Sequence, residues 1–442
     1  MKFRGLLFAA ILLAALSGVL YWSNRHKPAE TVQATTADTP PDILKLNDAD
    51  ITHVDIKKKT GPELVLTKDN QGKWEIDSPQ KLPADQSAVS GVISSLASLP
   101  SERLVEDKAK AEDLSQFGLN APEMEVDVTD KKGAHKLLVG DTTPTNSGAY
   151  AKLENDPRIF TIASYTKGNL DKTLNDLRDK RLLNIEPDKV TRLELRSNNQ
   201  EIEFGRDKDQ WQVLKPKPMR ADGYAVDDVV RKLGDAKMDF SPADDEKKIA
   251  SAFASAKPVA QAKVTTNSGT EQLDLRKNKD DYYAKSSQVS GIYKVPGDLG
   301  QTLDKKVDDF RNKKLFEFGY TDPDKIEIDD GSKKYFLTKG GSDWFGADGK
   351  KLDVSGAELL LDKLRDLQAT KFADSAPGTS NIHITVISDS GKHTEKVSLA
   401  KQGEDYIGKR DDAPDMYVLD AKSVDAVTQA AADLKPAPAA KK

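Results

Sequence analysis

One residue in a fixed setting constrains this chain more than any other feature. A tryptophan opens a strand-like segment at Trp74, Trp211 and Trp344, a period of about 135 residues. The same two short segments precede it each time. The first reads His53-Val54-Asp55-Ile56, Arg192-Leu193-Glu194-Leu195 and Lys325-Ile326-Glu327-Ile328. Apolar and polar residues alternate in each, which is the period of a half-buried strand. The second reads Leu64-Val65-Leu66, Ile202-Glu203-Phe204 and Tyr335-Phe336-Leu337. Turn residues separate it from the tryptophan strand: Asp69-Asn70-Gln71-Gly72, Asp207-Lys208-Asp209 and Gly340-Gly341-Ser342. Each unit therefore opens with a three-stranded antiparallel meander.

A helix follows each meander. Val89, Val92, Ile93 and Leu96 fall at i, i+3, i+4 and i+7, as do Val226, Val229, Val230 and Leu233, and then Ala357, Leu360, Leu361 and Leu364. One apolar stripe must cover one apolar sheet face, so each unit is two-layered. Further strands follow in register, with turns at Gly133, Gly269 and Gly391. A closing helix is expected over Leu170, Leu174 and Leu177, over Leu303, Val307 and Phe310, and over Val427, Ala431 and Leu434. The predicted fold class is α+β, with three tandem copies of a meander-plus-helix unit at residues 43–183, 184–316 and 317–434.

The units meet at a recurring joint. Leu177-Arg178-Asp179-Lys180-Arg181-Leu182-Leu183 returns as Phe310-Arg311-Asn312-Lys313-Lys314-Leu315-Phe316. Restarts follow at Glu186-Pro187-Asp188-Lys189 and Asp322-Pro323-Asp324-Lys325. No such motif follows the third unit, so the motif reads as a connector. Leu177, Leu182 and Leu183 are expected to pack between neighbouring units. Arg178, Lys180 and Arg181 are expected to cap the helix C-terminus, where positive charge is favoured. The alternative is that these basic residues bind a partner or anionic lipid.

Ahead of the first unit, Lys2 and Arg4 precede an apolar or small-residue run from Gly5 to Trp22. A basic start before such a run marks a signal peptide or a signal anchor. The run continues through Val19 and Leu20 to the interfacial pair Tyr21-Trp22, which favours an uncleaved anchor. One N-terminal transmembrane helix is therefore predicted, holding the chain in a bacterial inner membrane through residues 5–22. The polar bulk would then lie in the periplasm. No cysteine follows, so a lipoprotein anchor is excluded. Residues 23–42 read as a flexible tether rich in Ala, Thr and Pro, and residues 435–442 as a disordered tail.

The anchor, the tryptophan meander and above all Leu177-Arg178-Asp179-Lys180-Arg181-Leu182-Leu183 resemble the uncharacterised bacterial family named domain of unknown function 4340. The resemblance covers roughly residues 43 to 434. It implies an anchored envelope protein, of the kind often encoded beside components of gliding-type ABC transporters. It implies no catalytic residues.

Composition narrows the chemistry. The 67 basic and 72 acidic residues of the 442-residue chain are intermixed and leave a net charge of −5. A nucleic-acid platform needs a basic excess to neutralise phosphates. The absence of cysteine excludes disulfides, thiol nucleophiles and Cys-ligated metals. The five histidines, His26, His53, His135, His383 and His393, include no i, i+4 pair and no His-Glu-x-x-His helix. The glycine-rich stretches around Gly340-Gly341 and Gly346-Ala347-Asp348-Gly349 lack a P-loop pattern and fit hairpin turns. Asp329-Asp330, Asp280-Asp281 and Asp411-Asp412 sit in turn-like contexts and form no calcium loop. Trp74, Trp211 and Trp344 are read as core rather than as glycan-stacking platforms.

No cofactor, metal or catalytic residue is predicted. The expected function is a non-enzymatic, membrane-anchored scaffold or accessory subunit of an ABC-type transport complex, contacting a membrane-protein partner through sheet edges or grooves between units. A cell-wall glycan or small-ligand binding module is the alternative, and a carboxylate-based hydrolase the second.

Overall fold

The computed structural model describes residues 41–208, 210–240, 245–374 and 378–438. The predicted membrane helix over residues 5–22 and most of the tether lie outside these residues. Among the described residues no helix is long and apolar enough to cross a membrane. The chain is mixed α+β and built on antiparallel sheets. It divides into two compact units between Asp179 and Lys180.

The first unit holds a nine-stranded sheet. Its order is Leu82–Pro83, Trp74–Ser78, Leu64–Lys68, His53–Lys58, Met124–Asp130, Gly133–Thr142, Gly148–Leu153, Ile159–Ala163 and Arg103–Glu106. The two meanders join where His53–Lys58 pairs with Met124–Asp130. Helix Gln86–Ala97 lies between the two meanders in sequence and buries Val89, Val92, Ile93 and Leu96 in the same core as Val54, Ile56, Leu66 and Val126. Asp85 starts this helix by accepting from the Ser87 and Ala88 amides at 3.0 and 3.1 Å, which satisfies two amides that have no intrahelical partner. The hairpin after Asp130 closes on Gly133 at φ 145°. That conformation is open to glycine and strained for other residues.

The second unit holds two eight-stranded sheets. One runs Met219–Arg220, Gln210–Lys215, Gln200–Asp207, Val190–Ser197, Lys257–Thr266, Gly269–Asn278, Asp281–Ser286 and Tyr293–Val295. The other runs Asp343–Phe345, Lys334–Gly340, Lys325–Asp329, Ile382–Ser388, His393–Gln402, Asp405–Arg410, Met416–Asp420 and Lys371–Ala373. Helices Gly223–Gly234 and Val354–Arg365 bury their predicted apolar stripes in the respective cores. Asp222 and Asp353 cap them as Asp85 caps the first.

Three expectations change. The closing helix breaks in two sheets. In the first, Ser164–Leu170 stops and Leu174–Leu177 restarts, because Asp176 accepts from the Thr173 amide at 2.8 Å and caps a new turn. In the second, Gly297–Leu303 is followed by the 3-10 turn Val307–Phe310, with Asp309 accepting from the Lys306 amide. Only Ala421–Ala432 of the three runs as one helix. Secondly, the unit boundaries expected after residues 183 and 316 shift. Leu182 and Leu183 lie in the second core, and Leu315 and Phe316 in the third, because these side chains are buried by the sheet that follows them. Thirdly, the described part of the tail is ordered by pairing. The Asp353 amide donates to Lys435 O at 2.9 Å and the Ala437 amide to Lys351 O at 2.8 Å.

Deleting residues 435–442 removes both of these bonds and uncovers Leu352, which is 8% exposed. At about 1 kcal/mol per lost hydrogen bond, the truncated chain is expected to lose about 2 kcal/mol. Differential scanning calorimetry of both proteins checks this, with a Tm several degrees lower expected for the shorter one.

Candidate functional site

The joints were the strongest candidates in the sequence, and each proves to be two short strand-like arms placed end to end. A closing arm pairs just before the capped helix of its own sheet. At the first joint, the Asp85 amide donates to Leu177 O at 2.8 Å and the Asp179 amide to Pro83 O at 2.9 Å, with Arg178 bridging Ala84. An opening arm pairs just after the helix of the next sheet. The Leu182 amide donates to Ala236 O, and the Met238 amide to Lys180 O, both at 2.8 Å, with Arg181 bridging Lys237.

The second joint repeats this geometry. Asp222 donates to Phe310 O at 2.8 Å and Asn312 to Arg220 O at 2.9 Å, with Arg311 bridging Ala221. Leu315 then donates to Leu367 O at 3.0 Å and Ala369 to Lys313 O at 2.8 Å, with Lys314 bridging Gln368. Residues 435–437 form a third closing arm, and Ile43 to Leu46 a first opening arm, bonded to Leu99 O and Ala97 O at 2.8 Å.

Each joint leucine or phenylalanine lies in the core of one sheet. Leu177 is buried in the first core, and Leu182 and Leu183 in the second. Phe310 is buried in the second core, and Leu315 and Phe316 in the third. Leu315 Cδ1 lies so close to Gly408 that a Cβ added there would come within 3.6 Å. The basic residues of the second joint are used in different ways. Arg311 there bonds the carboxylates of Asp308 and Asp415 at 2.8 and 2.6 Å and lies 3.3 Å from the centre of the Phe372 ring. Lys313 and Lys314 have exposed side chains and take part through their backbones.

Side chains of the following sheet hold each opening arm. At the first joint, Ser286 Oγ donates to Leu182 O, and Glu271 Oε2 accepts from the Asn184 amide at 2.7 Å. At the second, Arg410 Nη1 donates to Leu315 O, and Glu395 accepts from the Glu317 amide at 2.9 and 3.1 Å. Arg410 also bonds Glu395 Oε1 at 3.0 Å and grips Asp412 with two nitrogens at 2.8 and 2.7 Å. Its side chain is 2% exposed and that of Glu395 0%. Burial opposes the Arg410 charge, but the Asp412 and Glu395 carboxylates outweigh it and raise the pKa. The same hydrogen bonds hold Asp412 below the usual carboxylate range.

Arg220 completes the cluster by donating to Lys314 O at 2.8 Å, Tyr417 Oη at 3.2 Å and Glu317. Burial raises the Tyr417 pKa against the charge of Arg220. Sequence reading missed this cluster, although strand parity carried a signal. Arg410 and Glu395 alternate in phase with the buried Gly408 and Val397, so each is a charge on the apolar face of its strand.

The tryptophans are buried in three separate cores, at 7, 4 and 3% exposure. Trp211 Nε1 donates to Asp227 at 2.7 Å. Gln86 pins the Trp74 strand by accepting from the Trp74 amide at 2.9 Å and donating to its carbonyl at 2.8 Å. None of the three offers a ring face for a sugar.

Among the described residues no group of three or more His, Asp or Glu is placed to hold a metal. His53 lies 3.4 Å from Thr67 Oγ1, and His383 3.0 Å from Ser398 Oγ. Two of the depressions among the described residues can be given by their lining. One, in the first unit, is lined by Ser87, Ala88, Gly91, Asn169, Lys172 and Asp176. The other, in the second unit, includes Glu317, Asp389 and His393. Glu317 is already bound by Arg220 and Asn312, so these carboxylates do not form a free catalytic pair.

The uncovered sheet faces carry mixed charge. Glu194 lies opposite Lys263 across paired strands, and Glu203 is gripped by Arg192 at 2.7 Å and Lys215 at 3.0 Å. The first sheet differs, because Asp55 lies directly opposite Asp127. Partial burial, together with the Glu63 and Asp127 carboxylates, pushes the Asp55 carboxyl up to about 6.

The family described as Domain of unknown function (DUF4340) matches residues 74–218 and residues 211–383. The chain belongs to that family. No curated protein and no solved structure matches it.

Asp55 yields a pH prediction. Its folded pKa lies above the unfolded value of 3.8, so the fold favours the protonated form. The stability this gives is present below about pH 4 and is lost as pH rises through about 6. Asp55→Asn should therefore raise the Tm at pH 7.5 and give no gain at pH 4. A shift of this size corresponds to about 3 kcal/mol at most, and partial solvent screening reduces it to about 1 kcal/mol, or about 3 °C. Thermal melts of both proteins at the two pH values measure the difference.

Proposed function

We propose that this chain is a membrane-anchored envelope protein acting by protein–protein contact, as a scaffold or accessory subunit of an ABC-type transport complex. We further propose that its three sheets are copies of one unit in tandem. In support, seven strands of each sheet follow the same order, the edge strands differing, and each helix is bracketed by the same arms. The two family matches also begin at Trp74 and Trp211, one unit apart.

The observation that carries the functional reading is where the chemically suggestive side chains are used. The tryptophans fill cores. Glu395, Glu317, Asp412 and Asp415 bind arginines or backbone amides around the second joint. Among the surfaces left to water, the open faces of the second and third sheets carry opposite charges side by side, suited to a polar protein partner. The basic residues Lys2 and Arg4, followed by the apolar run through Trp22, support anchorage in a bacterial inner membrane with residues 43–442 in the periplasm.

The test is affinity capture of the tagged full-length chain from detergent-solubilised membranes. The expected result is co-recovery of an integral membrane transport subunit, with the chain itself in the membrane fraction. A chain that fractionates without the membrane and brings down no membrane protein contradicts the reading.

A further inference from the structure

We propose that the second and third sheets are locked in one fixed orientation by two arginine pins, Arg220 and Arg311, which reach across the second joint to side chains of the third sheet. The inference concerns only residues 180–438 and does not depend on membrane attachment.

Three observations carry it. First, both pins start on the second-sheet side of the joint. Arg220 ends the strand Met219–Arg220 of the second sheet, and Arg311 lies in that sheet's closing arm. Both end on the third sheet. Arg220 reaches Tyr417 Oη, and Arg311 reaches Asp415 at 2.6 Å while lying over Phe372. Phe372 and Tyr417 are themselves in ring contact at 5.6 Å, so the two pins converge on one aromatic pair.

Second, the contacts are desolvated. The Asp415 side chain is 1% exposed, that of Arg311 9% and that of Arg220 16%. A carboxylate this buried needs its charged partner in place, because separating the pair strands a charge away from water. Small rotations of one sheet against the other are therefore penalised steeply, whereas an exposed ion pair would follow them at little cost.

Third, buried ion pairs add little net stability compared with apolar packing of the same shape, and their best-attested use is to fix register and orientation. The buried Arg311–Asp415 pair, which ties the closing arm of the second sheet to the third, is assigned that use.

The cysteine-free sequence allows a direct test. Spin labels on Tyr224→Cys and Leu359→Cys report on helices Gly223–Gly234 and Val354–Arg365, one beside each sheet, and both residues are exposed. Double electron–electron resonance on the full chain should give a single narrow distance. Combining Arg220→Met with Arg311→Met and Asp415→Leu removes both pins without orphaning a buried carboxylate. The narrow peak should be lost to a broad or two-peaked distribution, with the near-ultraviolet circular dichroism retained. A narrow peak persisting in the folded variant overturns the proposal. Should that variant fail to fold, Arg220→Met alone leaves the buried Arg311–Asp415 pair intact and should broaden the peak in part. An unchanged width there overturns the proposal equally.

Discussion

Backbone pairing of short arms on either side of a capped helix is the constraint on which the rest of this structure depends. In each sheet a short segment just before the helix pairs with a closing arm, and one just after it pairs with an opening arm. Both are only two or three residues long. Each arm also delivers apolar side chains to the core: Leu177 or Phe310 from the closing arm, and Leu182 with Leu183, or Leu315 with Phe316, from the opening arm. Hydrogen bonding and burial are thus satisfied by the same residues, so neither can be lost without exposing polar backbone in an apolar setting.

The charged middle of each joint follows from this. Asp179-Lys180-Arg181 and Asn312-Lys313-Lys314 are half-buried or exposed, whereas the apolar residues flanking them are buried. The motif is therefore hydrophobic at its ends and polar in its centre. Its appearance as a basic recognition site arises from that alternation. After the third sheet, residues 435–437 supply a closing arm with a different sequence, Lys435-Pro436-Ala437.

Much of the sheet architecture could be read from the chain. Val54 and Ile56, or Leu193 and Leu195, alternate cleanly because one sheet face is buried and the other wet. Val89, Val92, Ile93 and Leu96 keep helical spacing because one stripe is covered. What escaped notice was too short or too local to leave a period. The edge strands Arg103–Glu106 and Lys371–Ala373 span four and three residues. The break after Leu170 turns on a single Asp176 cap within a run whose apolar spacing continues unbroken. The buried Arg410–Glu395 pair was hidden differently: a charged residue in an alternating strand is normally assigned to water, and only its parity with Gly408 and Val397 marks it as inward-facing. Of the candidate site, the joint's position was legible, but its division into two arms was not, since that division depends on partners far away in sequence.

Residues 180–183 and 313–316 pair with, and are buried by, the sheets they precede. Native-state hydrogen exchange of the Leu182 and Leu315 amides tests this most directly, because each donates to a backbone carbonyl beyond the helix, Ala236 O and Leu367 O. Protection as high as that of the central strand amides of the same sheets is expected. Exchange of either amide at the rate of an exposed loop would contradict it.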